Sequence, residues 1–254
     1  HIELLKEMVM EYKIEDAKYV DEFWDGMYIV GDVATSGRWE TIEDALPAKI
    51  SVDDLDRDAY SYRRKVIGNV RRNGINEHSK ILWEDTMEEV RLGYTVGPFK
   101  SERDVSKFVG TDRWVPTMRF GISQKNKTRG IDTAKSNGVN DATVPREKMR
   151  LNTTDYNMGC IRKMKKLLPK EELAAWVLDE KKAYRQIPVH PSHRRYSVVC
   201  LLDPDTEEVN FFVMIGHSFG LVSAVFNYNR RASLVTELIR RALAVPALNY
   251  YDDK

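Results

Sequence analysis

Apolar and charged positions alternate at helical spacing through residues 2–24: Ile2, Leu5, Val9 and Tyr12, then Ala17, Val20, Phe23 and Trp24. That period predicts one or two amphipathic helices. Gly31, Gly37 and Pro47 interrupt the pattern over the next stretch. Asp53, Asp54, Asp56 and Asp58 suit a helix start, where carboxylates favour the dipole. Without a turn glycine the run does not make a calcium loop. Tyr60 to Arg72 reads as basic and partly helical, closed by the turn signal Asn73-Gly74. Another helix is expected from Ser79, carrying Ile81, Leu82, Met87 and Val90, with Gly93 placed to end it. Gly97-Pro98-Phe99 predicts a rigid turn and Asp104 to Gly110 a short helix. Val115 to Gln124 and Thr128 to Asp132 predict a hairpin tipped by Lys125, Asn126 and Lys127. Residues 133–149 carry few large apolar side chains and are expected to form a mobile loop. A helix over 155–168 should end at Pro169.

The last eighty residues are patterned more strongly. Leu173 to Leu178 is a short apolar run ending at Asp179. Tyr196 to Leu202 and Val209 to Ile215 are rich in β-formers, and Asp203-Pro204-Asp205 between them predicts a hairpin. Gly220 precedes a long helix over 222–243, with Val225, Ala232, Val235, Leu238, Ile239 and Ala242 on its apolar face. Ala247 to Tyr251 reads as a strand, followed by Asp252 and Asp253.

Composition changes the picture in three ways. Apolar residues at 42% and charged residues at 31% suit a folded core and exclude a disordered or collagenous chain. No apolar stretch is long enough for a membrane span, so no membrane partner is expected. The charge is split: residues 1–60 hold 16 acidic and 6 basic side chains, the rest 23 and 34. Two regions are therefore expected: an acidic, mostly helical segment 1–74 of unknown role, and a basic region 75–254. Cys160 and Cys200 make no disulfide framework, so a reducing, intracellular setting is expected. The first residue is His1, which reads as an excised or processed end.

The candidate chemistry lies in the carboxylates at the ends of apolar runs. If the strands before Asp179 and before Asp252-Asp253 are neighbours, their carboxylates converge and need a shared cation. Mg2+ suits such oxygen ligands and a phosphate-bearing substrate. Taken alone, an Asp-Asp pair is more often a solvated turn. The flanking residues change that. Asp179-Glu180-Lys181-Lys182-Ala183-Tyr184-Arg185-Gln186-Ile187 looks like motif A of reverse transcriptases. Ser218-Phe219-Gly220-Leu221-Val222-Ser223-Ala224-Val225-Phe226-Asn227 looks like motif B, and Tyr250-Tyr251-Asp252-Asp253 matches the Tyr-x-Asp-Asp box of motif C. The order and separations agree. The chain thus resembles the fingers and palm of a retroelement reverse transcriptase, firmly from residue 174 onward and more faintly from 78.

The resemblance implies an α+β fold, a right-hand polymerase's fingers and palm with an antiparallel palm sheet backed by helices. It implies RNA-directed DNA polymerase activity on a template with primer, RNA or DNA, using dNTP and two Mg2+ ions, with Mn2+ as a substitute. Asp179 and Asp252 would be the direct metal ligands, Asp253 a supporting carboxylate, and the Glu180 carbonyl a further ligand. Tyr184 would exclude a ribose 2′-hydroxyl. Arg129 and Lys127 (or Lys125) would hold the triphosphate. Gly220 would allow close approach of the nucleotide or template, and Gln186 would bind nucleotide or only brace its loop. Val225 departs from the Pro common at that place. Family members continue past motif C into a second hairpin strand, a primer grip and a thumb, so this chain by itself is expected to polymerise weakly or not at all. Two other readings compete: an RNA-dependent RNA polymerase, which usually has Gly before Asp-Asp, and a non-catalytic relative that binds nucleic acid.

Overall fold

The computed structural model describes residues 1–125, 127–251 and 253. In chain order the elements are α1 (Ile2–Glu11), α2 (Lys18–Asp25), β1 (Gly31–Asp32), β2 (Glu40–Thr41), α3 (Val52–Arg57), α4 (Ala59–Asn73), α5 (Ser79–Arg91), β3 (Thr95–Phe99) and α6 (Glu102–Val109). Next come β4 (Pro116–Gln124), β5 (Lys127–Asp132), β6 (Thr143–Val144), β7 (Glu147–Lys148), α7 (Thr154–Leu167), β8 (Val198–Leu202), β9 (Val209–Met214) and α8 (Val222–Leu243). The fold is mixed α and β. Its main sheet has the order β3-β9-β8-β4-β5 and is antiparallel except where β4 runs parallel to β8.

Alternation along β8 and β9 explains the layers. Val198, Cys200, Leu202, Phe211 and Val213 face α4 and α6, where they pack with Val66, Ile67, Val70, Val105 and Trp114. Val199, Leu201, Phe212 and Met214 point the other way, onto Leu82 of α5. One sheet is therefore covered by helices on both faces. β4 pairs with β8 only through Pro116, Thr117 and Met118; from Arg119 onward its partner is β5. The outer part of the β4–β5 hairpin thus projects beyond the sheet.

Three of the four core clusters draw on both sides of residue 74. Val9, Tyr19, Val20 and Met27 pack on Tyr228, Ala232, Leu234 and Leu238 of α8. Arg230, fully buried in α8, locks that contact: it donates from Nε and Nη2 to Asp16 at 2.8 and 2.7 Å and from Nη1 to Glu22 at 2.6 Å. The acidic N-terminal segment therefore supplies the counter-charges for a buried arginine of the basic region.

Several expectations need correction. Residues 133–149 are largely buried and carry β6 and β7 where an exposed loop was expected, because long-range polar contacts hold them. Buried Asn137 donates to Pro116 O and Thr117 Oγ1, and buried Glu147 accepts from the backbone N–H of Ser36 and Gly37 at 2.8 and 2.7 Å. Gly97-Pro98-Phe99 lies within β3 and is not a turn. Leu173 to Leu178 is not a buried strand. Trp176, Val177 and Leu178 are exposed, since among the described residues no sheet edge takes their backbone bonds. Ala247 to Tyr251 likewise makes no strand beyond a bridge at Tyr250. Among the described residues no helix is long and apolar enough to cross a membrane.

The two cysteines differ sharply. Burial pushes the Cys200 thiol, in β8, far above its ordinary range, whereas Cys160 on α7 is half-buried. A thiol reagent is expected to modify Cys160 in the native protein and Cys200 only after unfolding. Stoichiometric labelling of both under native conditions would contradict this burial.

Candidate active site

Asp179 follows the exposed run 174–178 and is itself exposed. It forms an antiparallel β-bridge with Asp253. Asp253 in turn closes a four-residue turn with Tyr250: the Tyr250 N–H donates to Asp253 O at 2.9 Å and the Asp253 N–H to Tyr250 O at 3.1 Å. Tyr251 inside the turn sits at φ 52°. Asp252 lies outside the described residues. Directly opposed residues of an antiparallel pair carry their side chains on one face, about 5 Å apart at Cβ. Carboxylates so placed would offer hard oxygen donors on one face. Among the described residues no group of three or more His, Cys, Asp or Glu side chains is arranged to hold a metal ion. The side chain of Glu180 is paired with Arg231 of α8.

The chain after Asp179 turns sharply at Lys182, φ 56°, into a 3-10 turn over Ala183–Gln186. The Gln186 side chain donates to Lys181 O at 2.8 Å and so braces this turn. Tyr184 stands edge-on between Phe219 and Tyr228, 5.2 Å from each ring centre. The segments 179–187 and 218–230 therefore meet through edge-to-face aromatic contacts. The next residue, Arg185, lies 5.1 Å from the Phe219 ring.

Arg185 also belongs to a buried ring of charges. Its Nε donates to Glu89 of α5 at 2.9 Å, its Nη2 to Asp132 at 3.2 Å and its Nη1 to His217 O at 2.6 Å. Arg119 closes the ring, with Nε on Asp132 at 2.7 Å and Nη1 on Glu89 at 3.0 Å. Lys182 reaches Glu89 at 3.3 Å from the edge. Burial alone would raise the Glu89 carboxyl, but Arg119, Arg185 and Lys182 hold it down at about 2. Burial lowers His217 to about 4. Its neutral ring bonds Ile187 O through Nδ1 and Asn227 through Nε2. This ring of charges ties α5, the root of the β4–β5 hairpin, the 3-10 turn over Ala183–Gln186 and the stretch at His217 into one unit.

The hairpin rooted there presents two faces. Gly121, Thr128 and Gly130 face His78 and Leu82 at the start of α5. Alternation sends Arg129 and Lys127 to the other face, where both are exposed. Neither makes an ion pair with a described residue. Gly220 has φ 87°, and a Cβ there would stand 2.3 Å from Asp132 O. The close approach it permits in this structure is thus to the hairpin backbone. The structure brings Asp179 to Asp253 and Tyr184 to Phe219, beside Gly220. It sets Arg129 and Lys127 apart on the projecting hairpin.

Sequence reasoning missed the charged ring. One signal was present: Leu82, Thr86 and Glu89 fall at i, i+4 and i+7, so a glutamate stands on the buried stripe of α5. A scan against protein-family models finds none that matches the chain, and a search of curated proteins finds no match.

Proposed function

We propose that this chain is the fingers and palm of a template-directed DNA polymerase of the reverse-transcriptase kind, transferring a nucleotide from dNTP to a primer 3′-hydroxyl. The observation that carries the reading is the bridge between Asp179 and Asp253, which pairs an acid of motif A with an acid of motif C. Opposed carboxylates on one face fit a divalent cation, and Asp179, Asp253 and the Glu180 carbonyl are the described residues that would hold it; Asp252 is a further candidate from the sequence and lies outside the described residues. When bound, Mg2+ supplies charge neutralisation for phosphoryl transfer and lowers the pKa of the attacking hydroxyl. The protein's own part is placement. Tyr184, fixed between Phe219 and Tyr228, presents a rigid edge that favours a sugar without a 2′-hydroxyl. Arg129 and Lys127, exposed on a hairpin whose root is ion-paired to the motif A turn, suit the triphosphate.

Titrating Mn2+ into the chain, followed by its EPR signal, tests the reading. Even indirect supports of a metal typically cost about tenfold in affinity when lost. Asp179→Asn, which removes a direct ligand, should weaken Mn2+ binding at least that much. Equal Mn2+ affinity in the variant and the unmodified chain would remove the basis for the assignment.

A further inference from the structure

A second cavity lies away from the Asp179 bridge, between the C-terminal half of α8, the segment around residue 38 and the stretch 150–152. Its volume is about 220 Å³, and Arg38, Trp39, Arg150, Asn152, Glu237 and Arg240 are among its lining residues. Two of its three arginines, Arg38 and Arg240, contact its one carboxylate, Glu237, and the third, Arg150, pairs with Glu40. Glu237 serves Arg240 at 2.6 Å, Arg38 at 3.3 Å and Arg241 at 3.4 Å. Burial would raise its carboxyl, but Arg240 and Arg38 hold it below the ordinary range; the exposed Glu15 stands 3.9 Å from Arg38 on the solvent side. Arg38 is mostly buried, and its Nη1 has no hydrogen-bond partner among the described residues. A buried guanidinium nitrogen left unpaired costs free energy unless an acceptor completes it, and an anion oxygen is the acceptor that a cationic wall favours. At the rim, Arg150 is exposed and leans on Glu40 at 2.7 Å, a surface pair that a stronger anion displaces easily.

Trp39 sets the class of anion. It lines the same cavity and is held edge-on by Phe226 at 6.3 Å. A cationic wall beside an aromatic ring is the arrangement that holds a nucleotide of a single strand, phosphate on guanidinium and base on ring. Asn249, another lining residue, directly precedes exposed Tyr250 and its neighbour Tyr251, whose rings contact at 5.0 Å. Aromatic surface therefore continues from the cavity toward the turn that carries Asp253.

We propose that this cavity binds a phosphodiester of single-stranded nucleic acid, with Arg38, Arg150 and Arg240 on the phosphate and Trp39 under a base. The inference goes beyond the nucleotidyl-transfer reading, since none of these residues belongs to the proposed active site.

Fluorescence anisotropy of a labelled twelve-nucleotide oligo(dT) with the full chain tests it. Trp39→Ala should weaken binding about tenfold, the worth of one stacked base. Arg150→Gln removes only an exposed side chain and should reduce the salt slope by about one phosphate contact while the fold stays intact. Arg129→Gln and Asp179→Asn serve as separate arms. If Arg129→Gln weakens binding while Trp39→Ala and Arg150→Gln do not, the cavity assignment is overturned and the active-site reading stands. If the cavity variants lose affinity while Asp179→Asn keeps both oligonucleotide and Mn2+ binding, the cavity assignment holds and the active-site reading fails. Competition by inorganic phosphate as strong as that by unlabelled oligo(dT), with no effect of Trp39→Ala, overturns the strand as ligand. So does tighter binding of a poly-glutamate peptide.

Discussion

Replacing Arg119 with methionine is expected to lower the unfolding free energy by about 3–5 kcal/mol, the cost of removing one partner from a buried ion pair. Arg119, Asp132, Glu89 and Arg185 are all nearly inaccessible to water. Each carboxylate is shared by the two arginines. Without Arg119, Asp132 keeps only Arg185, and Thr86 Oγ1 loses the donor it had at 2.9 Å. Urea denaturation at neutral pH measures the loss; a change under about 1 kcal/mol, the scale of a surface pair, would show that the ring is not the buried unit described. The same ring sets an acid limit. Glu89 has a carboxyl lowered from 4.5 to about 2, so it favours folding above its unfolded value, and that contribution disappears as pH falls from about 4.5 toward 2. Complete loss is worth on the order of 3 kcal/mol. His217, lowered from 6.5 to about 4, acts in the same direction at higher pH, because the unfolded chain takes up its proton first. Stability should therefore begin to fall below about pH 6.5 and fall further below 4.5.

Local periodicity carried much of the fold. The long helix α8, the β8–β9 hairpin and the β4–β5 hairpin are visible because their buried faces repeat within each element. Register decides the Arg119–Asp132 pair: the observed pairing of Gln124 with Lys127 sets those two opposite each other, whereas the expected tip of three residues, Lys125 to Lys127, would have set Arg119 opposite Thr133. What stayed hidden depends on residues far apart in the chain. The burial of 133–149 comes from Glu147 accepting from Ser36 and Gly37, and nothing near Glu147 announces that partner. Leu173 to Leu178 misled for the converse reason: composition suits a strand, but a strand also needs an edge to pair with. In the candidate site, the structure bridges Asp179 to Asp253 without the two strands that were expected to bring them together, and Arg38 and Trp39 carried no pattern before α8 was placed beside them. The ring and the motif turns thus share one physical cause: charges that cannot be solvated select a single mutual arrangement of α5, the hairpin and the motif A turn.

Gly216→Ala should be the most damaging conservative change near motif B. A Cβ at Gly216 would fall 1.9 Å from Arg185 O and 2.7 Å from Arg185 C, inside contact with rigid backbone and not with a movable side-chain end. The two segments are held together there: Pro188 and Gly216 form a bridge, and the His217 N–H donates to Ile187 O at 2.9 Å. Relief of the clash must push the motif A turn away from motif B. That motion strains the contacts of Arg185 with Glu89, Asp132 and His217 O. Overpacking of this kind costs about 3 kcal/mol. For a chain of this size it lowers Tm by about 10 °C. Gly220→Ala meets a second obstacle, since its φ of 87° disfavours any side chain and Asp132 O stands 2.3 Å from the new Cβ. Gly159 on α7 offers the control: a Cβ there meets nothing within 4 Å, so Gly159→Ala should be neutral or stabilising by a few tenths of a kcal/mol up to about 1. Calorimetry on the three variants should place Gly159→Ala level with or above the unmodified chain and Gly216→Ala and Gly220→Ala well below it. A Gly216→Ala protein that melts with the unmodified chain would mean that Arg185 and motif B are not packed backbone to backbone, and the coupling of the two motifs through the buried ring would go with it.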